Sequence, residues 1–347
     1  MSLSIVIRSR DEADRLRLVL ASLTGQTGLK EVVVVDDGST DQTPAVLAEA
    51  TGALPLVALR HAASRGRSAA SNAGAAAATG DILLFFDGDT LAAPQLVQRH
   101  LAAHAEGRRL IGRGEVFHLR CTRFLEDPEA ASPKPGEEAR LAGLPVVEIE
   151  RMRVTRRQVL DDFAAIERRA EPAIYPGAGP RRLNALETEA LRAEPGLSVL
   201  WAAATGANLS VSRAAFLDAG GFDERLDINE HRELAFRLYE AGLRMRLVDG
   251  ASSYHLTHRA GWRDPLAETG WEAAFWRKHP VKAVKLLSVF WACLAPGSRL
   301  PAEARIASLV ELEAAALTEN GVDYDAARRA LGLPALPAPA AAATSAP

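Results

Sequence analysis

The chain contains 347 residues, 48% of them hydrophobic and 24% charged, with a formal net charge of -3. This composition is typical of a soluble globular protein, and the length allows two domains or one large α/β domain. The small net charge gives no indication of nucleic-acid binding, so no such partner is predicted. Two cysteines, Cys121 and Cys293, lie far apart in the chain and favour a reducing cytoplasm.

The first 90 residues alternate between strand and helix patterns. Apolar runs at 3–7, 31–35 and 82–86 predict buried strands. A helix pattern with one apolar face lies between the first two runs, from Ala13 to Leu23, and a second helix pattern follows the second run. Consecutive strand–helix units predict a parallel sheet that is covered by helices.

The third strand pattern carries the strongest chemical signal, because it ends in Asp87-Gly88-Asp89. In an extended backbone, residues i and i+2 point the same way, so the two carboxylates can converge on one hard cation. A divalent ion that is held by carboxylates and completed by phosphates is the usual Mg²⁺ arrangement. A simple turn is the alternative interpretation, because Asp and Gly are also turn formers.

Motifs of three other nucleotide-binding classes are absent from the sequence. A nicotinamide-dependent Rossmann enzyme requires G-x-G-x-x-G after the first strand, and residues 8–12 contain no glycine. There is no Walker A sequence, and no glycine-rich basic loop of a nucleotidyltransferase follows the first strand. A bound nucleotide is therefore expected to be held by acidic residues and a metal.

Five short sequence blocks lie within residues 4–12, 33–41, 65–74, 85–89 and 206–224. In this order they resemble the family 2 glycosyltransferases, which transfer sugars from nucleoside diphosphates and have the GT-A fold. The resemblance covers roughly residues 1 to 260. It implies a Rossmann-like α/β fold with a mixed, mainly parallel sheet flanked by helices.

The resemblance also implies roles for individual residues. The donor would be a UDP- or GDP-sugar, and Mg²⁺ or Mn²⁺ would bridge its diphosphate and offset the charge on the leaving group. The implied metal ligands are Asp87, Asp89 and a late histidine. His255 is preferred over His258, because residues three apart on an extended loop point differently. The remaining implied donor-binding residues are Ser9, Arg10, Glu12, Asp36 or Asp37, Arg67, Asp87 and Gly88.

The catalytic base departs from the family pattern. The family commonly has E-D-x-E-L, whose Asp is the base in inverting members, whereas this chain has His231 at that position. His231 has a suitable unperturbed pKa, and the neighbouring Glu230 is the alternative base. An acceptor that is acidic enough to need little help is a third option. The missing aspartate also motivates a second hypothesis, a catalytically weak relative that binds a nucleotide sugar or a partner.

The resemblance and the segment patterns predict the following organisation. Residues 1–260 form a GT-A domain, with a nucleotide-sugar half at 1–115, an acceptor-region insertion at 116–205 and a catalytic half at 206–260. A helical extension at 261–332 and a disordered tail at 333–347 follow. One helix is predicted from Thr155 to Arg169, and one strand from Arg244 to Val248.

The predicted protein is a cytoplasmic, metal-dependent hexosyltransferase that acts on the hydroxyl of an unknown acceptor, with inversion. No signal peptide pattern opens the sequence, and no apolar stretch reaches about 18 residues. Residues 281–294 can form an amphipathic helix, whose apolar face indicates a core helix or a homodimer contact more often than a peripheral contact with an anionic membrane surface.

Overall fold

A computed structural model describes residues 1–107, 109–173, 183–258, 264–295, 300–318 and 322–338. The strands in these ranges are β1 (Leu3–Ser9), β2 (Leu29–Asp36), β3 (Leu56–Arg60), β4 (Ile82–Asp87), β5 (Thr90–Ala92), β6 (Leu110–His118), β7 (Leu125–Asp127), β8 (Ser132–Pro133), β9 (Glu171–Pro172), β10 (Leu209–Ser212) and β11 (Arg244–His255).

The helices of the described residues surround these strands. They are α1 (Ala13–Ser22), α2 (Thr43–Ala50), α3 (Arg67–Ala77), α4 (Leu96–Glu106), α5 (Glu138–Ala142), α6 (Val146–Met152), α7 (Arg156–Asp161), α8 (Ala164–Glu167), α9 (Leu183–Ala193), α10 (Arg213–Asp218), α11 (Glu230–Glu240), α12 (Gly270–Lys278), α13 (Lys282–Cys293), α14 (Leu309–Leu317) and α15 (Tyr324–Ala330). Short 3₁₀ turns lie at Arg120–Thr122, Leu200–Ala203 and Ala302–Ala304.

One large mixed sheet has the strand order β3-β2-β1-β4-β10-β6-β11-β5, and β9 pairs with β6. The strands β3, β2, β1 and β4 are parallel to one another, as are β6 and β11. The strand β10 runs antiparallel to both of its neighbours. Most paired residues belong to the parallel ladders, so the predicted mixed, mainly parallel α/β sheet is confirmed.

The central strands are buried on both faces. Along β1, Val6 belongs to one hydrophobic cluster, whereas Ile5 and Ile7 belong to the other. The helix α3 lies very close to the sheet, because a Cβ at Gly74 would be only 2.5 Å from Cγ1 of Val6. Helices on both faces therefore exclude water from the strands and leave their ends as the accessible polar positions.

The helix predicted from Thr155 to Arg169 is two short helices in the structure, α7 and α8. Thr155 begins α7 with a capping box that involves Gln158. Asp162 then leaves the helical region, with φ −144° and ψ 61°, and ends the helix. Phe163 and Ile166 are buried despite this break. The apolar pattern therefore predicted the buried residues correctly, but it overestimated the length of the helix.

The C-terminal helices α12 to α15 share one hydrophobic cluster with the sheet, which includes Phe275 and Phe290 together with Val6. The predicted domain boundary at 260 lies outside the described residues. The predicted disordered tail does not begin at 333, because Leu333 is buried and the Nε1 of Trp276 donates to the carbonyl of Pro337 at 2.9 Å. Residues 339–347 of that tail lie outside the described residues.

Burial of the helix at residues 281–294 agrees with the core alternative and gives no support to a membrane contact. The apolar side chains of α13, Leu286, Leu287, Phe290 and Trp291, are buried inside the protein. An amphipathic pattern does not distinguish a lipid surface from a protein core, and here the core covers it. None of the helices in the described part of the chain combines the length and apolarity that a membrane span requires.

A buried histidine pair joins α4 to the centre of the sheet. His100 Nδ1 and His104 Nε2 each lie 2.8 Å from Oγ of Ser210, and His100 Nε2 lies 2.8 Å from Oδ1 of Asn208. Asn208 also donates to Ser253 Oγ on β11 at 3.1 Å. Burial lowers the pKa of both histidines to about 4, so both are neutral in the folded protein at pH 7.

This pair predicts a loss of stability in mild acid. The folded pKa of each histidine lies below the unfolded value of about 6.5, so the unfolded chain binds more protons as the pH falls from 6.5 towards 4. Each histidine should reduce the free energy of unfolding by about 2 kcal/mol between pH 7 and pH 5. Urea denaturation at both pH values measures this change. The variant His104→Gln should show a smaller pH dependence, and an unchanged dependence would contradict the assignment.

Candidate active site

Arg8 links two elements at the edge of the sheet where β1 and β4 end. Its Nε donates to Oδ1 of Asp87 at 3.0 Å, and its Nη1 donates to Oε1 of Glu230 at 2.8 Å. Burial acts to lower the pKa of Arg8, but the two carboxylates outweigh it and raise that pKa above its usual value. Arg8 is thus a fixed positive charge between the end of β4 and the beginning of α11.

A three-residue cluster with metal-binding chemistry lies beside Asp87. Among the described residues, ligand atoms of Asp89, His255 and His258 lie within 4.8 Å of one another. The Nε2 atoms of His255 and His258 are 3.2 Å and 2.7 Å from Oδ2 of Asp89. Burial acts to raise the pKa of Asp89, but the two histidines hold it well below its usual range. An ionised carboxylate beside two imidazoles fits Mn²⁺ better than Mg²⁺.

The expectation that His258 points away from His255 is wrong. The strand β11 is longer than predicted and ends at His255. The backbone N–H of Leu256 then donates to the carbonyl of Asp89 at 2.8 Å, which holds the chain against the turn at that residue. Both imidazoles face the same carboxylate, that of Asp89.

Asp87 and Asp89 have different partners in the structure. Asp89 contacts the two histidines, whereas Asp87 pairs with Arg8 and is not part of the three-residue cluster. The carboxylate of Asp87 is about a quarter exposed. Its role as a metal ligand therefore stays a prediction, while Asp89 and His255, two of the predicted ligands, lie together.

Gly88 makes room for two of the predicted nucleoside-pocket residues. A Cβ at Gly88 would overlap the carboxylate of Glu12 and lie 2.8 Å from Oγ of Ser9. Ser9 is buried and Glu12 is half-buried. Burial and the nearby Asp89 carboxylate raise the pKa of Glu12 well above its usual value, which favours its protonated form. Ser9, Glu12 and Gly88 thus form one contact group next to the histidine cluster.

Asp36 and Asp37, which were predicted to bind the nucleobase of the donor, already accept hydrogen bonds from the protein. Asp36 accepts from the backbone N–H of Ser39 at 2.8 Å and pairs with Arg60 at 3.2 Å. Asp37 organises residues 61–66 by contacting four groups: His61 Nδ1, Ser64 Oγ and the backbone N–H groups of Arg65 and Gly66, at 2.6–3.0 Å. Burial acts to raise the pKa of Asp37, but these contacts lower it. Contacts of either carboxylate with a nucleotide stay predictions.

The two predicted arginines lie in different settings. The side chain of Arg10 is 58% exposed and lies 3.4 Å from Asp11. Arg67 begins α3, and its charge is one of those that lower the pKa of Glu230. Arg67 and Arg10 are both exposed, and their contacts with a diphosphate or a nucleoside stay predictions.

The two candidate bases, Glu230 and His231, stand in the first turn of α11. Nδ1 of His231 is 3.8 Å from Oε2 of Glu230. Burial acts to raise the pKa of Glu230, but His231 and Arg8 lower it far below its usual range. Burial, together with Arg232, lowers the pKa of His231. At neutral pH the pair therefore consists of a carboxylate and a neutral imidazole.

The sequence analysis missed three buried charged residues that contact one another: Arg113, Glu187 and Arg232, the last of which lies on α11. Arg113 Nη2 donates to Glu187 Oε2 at 3.0 Å, and Arg232 Nη2 donates to Glu187 Oε1 at 3.0 Å. Arg113 and Glu187 are no more than 1% exposed. Arg113 lies within the mostly buried strand β6. A charged residue inside a strand was the only signal of this group in the sequence.

Comparison with known proteins supports the resemblance. The family model described as Glycosyl transferase family 2 matches residues 4–163. The protein named Uncharacterized glycosyltransferase YfnE of Bacillus subtilis is 28% identical over 278 residues, which cover 74% of this chain and 65% of that protein.

Two solved structures are similar in fold. The structure of S. aureus TarS 1-349 in complex with UDP-GlcNAc has a TM-score of 0.51 at 16% identity, covering 85% of this chain and 72% of that one. The structure of GalNAc-T7 with UDP, GalNAc and Mn²⁺ has a TM-score of 0.51 at 18% identity, covering 87% of this chain and 52% of that one. At this level of identity the likeness shows the fold, and it confirms the GT-A prediction.

The contacts of Asp37 predict a structural effect of its removal. The variant Asp37→Ala should lower the free energy of unfolding by about 1.5–3 kcal/mol, because partly buried donors of residues 61–66 lose a charged acceptor. Urea denaturation measures the loss. Asp37→Asn retains one carbonyl oxygen and should be destabilised less. A change within about 0.5 kcal/mol for Asp37→Ala would show that these bonds do not stabilise the fold.

Proposed function

We propose that this chain, whose residues 4–163 match the model of glycosyl transferase family 2, is a metal-dependent glycosyltransferase. It transfers a sugar from a nucleoside diphosphate to an acceptor hydroxyl with inversion. The observation that carries the proposal is the cluster of Asp89, His255 and His258 at the carboxyl end of β4, next to the Arg8–Glu230 pair. Open α/β sheets bind ligands at such strand ends.

The residues divide into a donor side and an acceptor side. On the donor side, Asp89, His255 and His258 would hold a divalent ion, with Asp87 as a further candidate ligand. Such an ion stabilises the negative charge that develops on the departing diphosphate. The charged side chain of Arg67, close enough to influence Glu230, would bind the diphosphate as well.

The acceptor side is the first turn of α11. Glu230 is ionised and accepts a hydrogen bond from Arg8. It can therefore accept the proton of an acceptor hydroxyl while it stays in its buried position. The half-buried Glu12 and the buried Ser9 lie next to Asp89, one of the three proposed metal ligands, and would line the nucleoside pocket. The geometry therefore supports a donor site at the carboxyl ends of β1 and β4 and a base at the beginning of α11.

A UDP-sugar is the favoured donor, with a GDP-sugar as the alternative. Both fold neighbours were solved with UDP or a UDP-sugar, and one of them also contains Mn²⁺. The imidazole ligands of the cluster are consistent with Mn²⁺.

A second candidate function is a nucleotide-sugar-binding protein of low catalytic power. The observation that favours it is the state of the two bases: Glu230 is paired with Arg8, and His231 contacts Arg232. Turnover separates the two functions. Binding of a UDP-sugar with Mn²⁺ in the absence of any release of UDP, with water or sugar acceptors, would favour the binding protein.

The metal site predicts a loss of ion affinity in a single variant. His258→Asn should weaken Mn²⁺ binding by at least about 10–100-fold, because it removes a proposed ligand. Titration calorimetry with MnCl₂, in the presence and absence of UDP, measures the affinity. His118→Asn is the matched control, because the His118 ring lies 5.1 Å from that of His255 but does not belong to the cluster.

Two results would count against this proposal. Unchanged Mn²⁺ affinity in His258→Asn would remove His258 from the site. Full turnover of UDP-sugars by the wild-type protein in EDTA would remove metal dependence altogether.

A further inference from the structure

A buried line of charges runs from the sheet to the first turn of α11. Arg113 on β6 contacts Glu187 on α9, and Glu187 contacts Arg232 on α11, with both distances 3.0 Å. The guanidinium of Arg232 also lies over the ring of Trp291, 4.9 Å from its centroid. The line ends at His231, because Nη1 of Arg232 donates to Nε2 of His231 at 2.9 Å.

This last contact determines which ring nitrogen of His231 carries the proton. A guanidinium only donates hydrogen bonds and does not lose its proton in proteins. Nε2 of His231 must therefore present its lone pair to Arg232. In a neutral imidazole one nitrogen is a donor and the other an acceptor, so the proton lies on Nδ1.

The surroundings keep Arg232 in this orientation. Its Nε donates to the carbonyl of Ala202 at 2.7 Å, and its Nη1 also donates to Oδ1 of Asn229 at 2.8 Å. With Nη2 bound to Glu187, every nitrogen of the guanidinium has an acceptor. Glu187 is in turn held by Arg113. The orientation of the donor to His231 is therefore set by residues outside α11.

Nδ1 of His231 faces the candidate site. It is buried and has no hydrogen-bond partner within the described residues. It lies 3.8 Å from Oε2 of Glu230, and a Cβ at Gly206 would be 3.5 Å from it. The other carboxylate oxygen of Glu230, Oε1, already accepts from Arg8. Oε2 of Glu230 and the Nδ1–H of His231 are thus the two groups left to interact with an acceptor.

We propose that Glu187 and Arg232 are positioning residues that hold His231 in its Nδ1-protonated form, so that Glu230, and not His231, takes the acceptor's proton. The inference rests on the proposed glycosyl transfer. The acceptor oxygen forms a bond with the anomeric carbon as the bond from that carbon to the diphosphate oxygen breaks. The hydroxyl proton passes to Oε2 of Glu230, and the Nδ1–H of His231 donates a hydrogen bond to the acceptor oxygen or to Glu230.

The electrostatics of the neighbouring groups agree with this division of roles. Burial lowers the pKa of His231, and the charges of Arg232 and Arg8 lower it further, while Glu230 acts in the opposite sense. A neutral His231 with Nε2 engaged has no lone pair directed at the acceptor. Glu230 is ionised at neutral pH and so has a lone pair for the proton, while its lowered pKa makes it a weak base.

A spectroscopic measurement on the resting protein tests the proton position without any turnover. Two-dimensional NMR with ¹⁵N-labelled histidine distinguishes the two neutral imidazole tautomers. The expected result for His231 at pH 7 is a protonated Nδ1 and an unprotonated Nε2. A protonated Nε2, or an even mixture of tautomers, would overturn the proposal, whether or not the protein proves to be a glycosyltransferase.

The variant Glu187→Gln tests the positioning role. It removes the carboxylate that orients Arg232, so His231 should become a mixture of tautomers. The matched control is Glu272→Gln, because Glu272 also forms a buried pair with an arginine, Arg328, at 2.6 Å and 2.9 Å, on other helices. The control should leave the tautomer of His231 unchanged. An unchanged tautomer in folded Glu187→Gln would overturn the role of Glu187.

Turnover of a UDP-sugar separates Glu230 from His231 as the base. Glu230→Gln should lower kcat about 10²–10⁴-fold, because a neutral amide accepts no proton. His231→Asn keeps an N–H donor near the position of Nδ1 but cannot act as a base, so it should lose less than about 10-fold in kcat. A loss in His231→Asn as large as that in Glu230→Gln would overturn the proposal. Absence of turnover in the wild-type protein would instead overturn the proposed function, and the NMR result would still decide the proton position.

Discussion

The parallel register between β1 and its two neighbours is the constraint on which the site depends. Arg8 lies opposite Asp87 of β4, and Ser9 lies opposite Asp36 of β2. Because the three strands run in the same direction, their carboxyl ends coincide at one edge of the sheet. A shift of one residue would turn Arg8 to the other face and would move the core residues into its place. The pairing register of β1 therefore determines where its polar end residues lie.

Several charged side chains near this edge of the sheet are buried, and they have partners of opposite charge. Arg8 has two carboxylate partners, and the buried Glu187 has two arginine partners. Removing a charged group from water costs several kcal/mol, which a single partner does not always recover. Multiple contacts hold these side chains in one arrangement, so the groups around α11 are oriented before any ligand binds. The order of the site is a consequence of satisfying its buried charges.

The sequence analysis succeeded for features that are encoded locally. The apolar runs predicted β1, β2 and β4, and Asp87-Gly88-Asp89 was predicted at the end of the third of these strands. The analysis was wrong where local pattern leaves the environment open. His258 lies 2.7 Å from Asp89, although its spacing from His255 suggested a different direction. The apolar face of α13, whose pattern left core, dimer and membrane contacts open, is covered by the core.

The sequence by itself determined the α/β class, the family resemblance and the identity of most candidate site residues, because strand alternation and short motifs depend on neighbours in the chain. Only the tertiary structure decided which partners these residues have. Arg8 and Glu230 are 222 positions apart, and Arg113, Glu187 and Arg232 come from three different elements. Such pairs form because helices and strands pack in one particular way and bury charges that must find an opposite charge. No periodicity or spacing in the chain records that outcome.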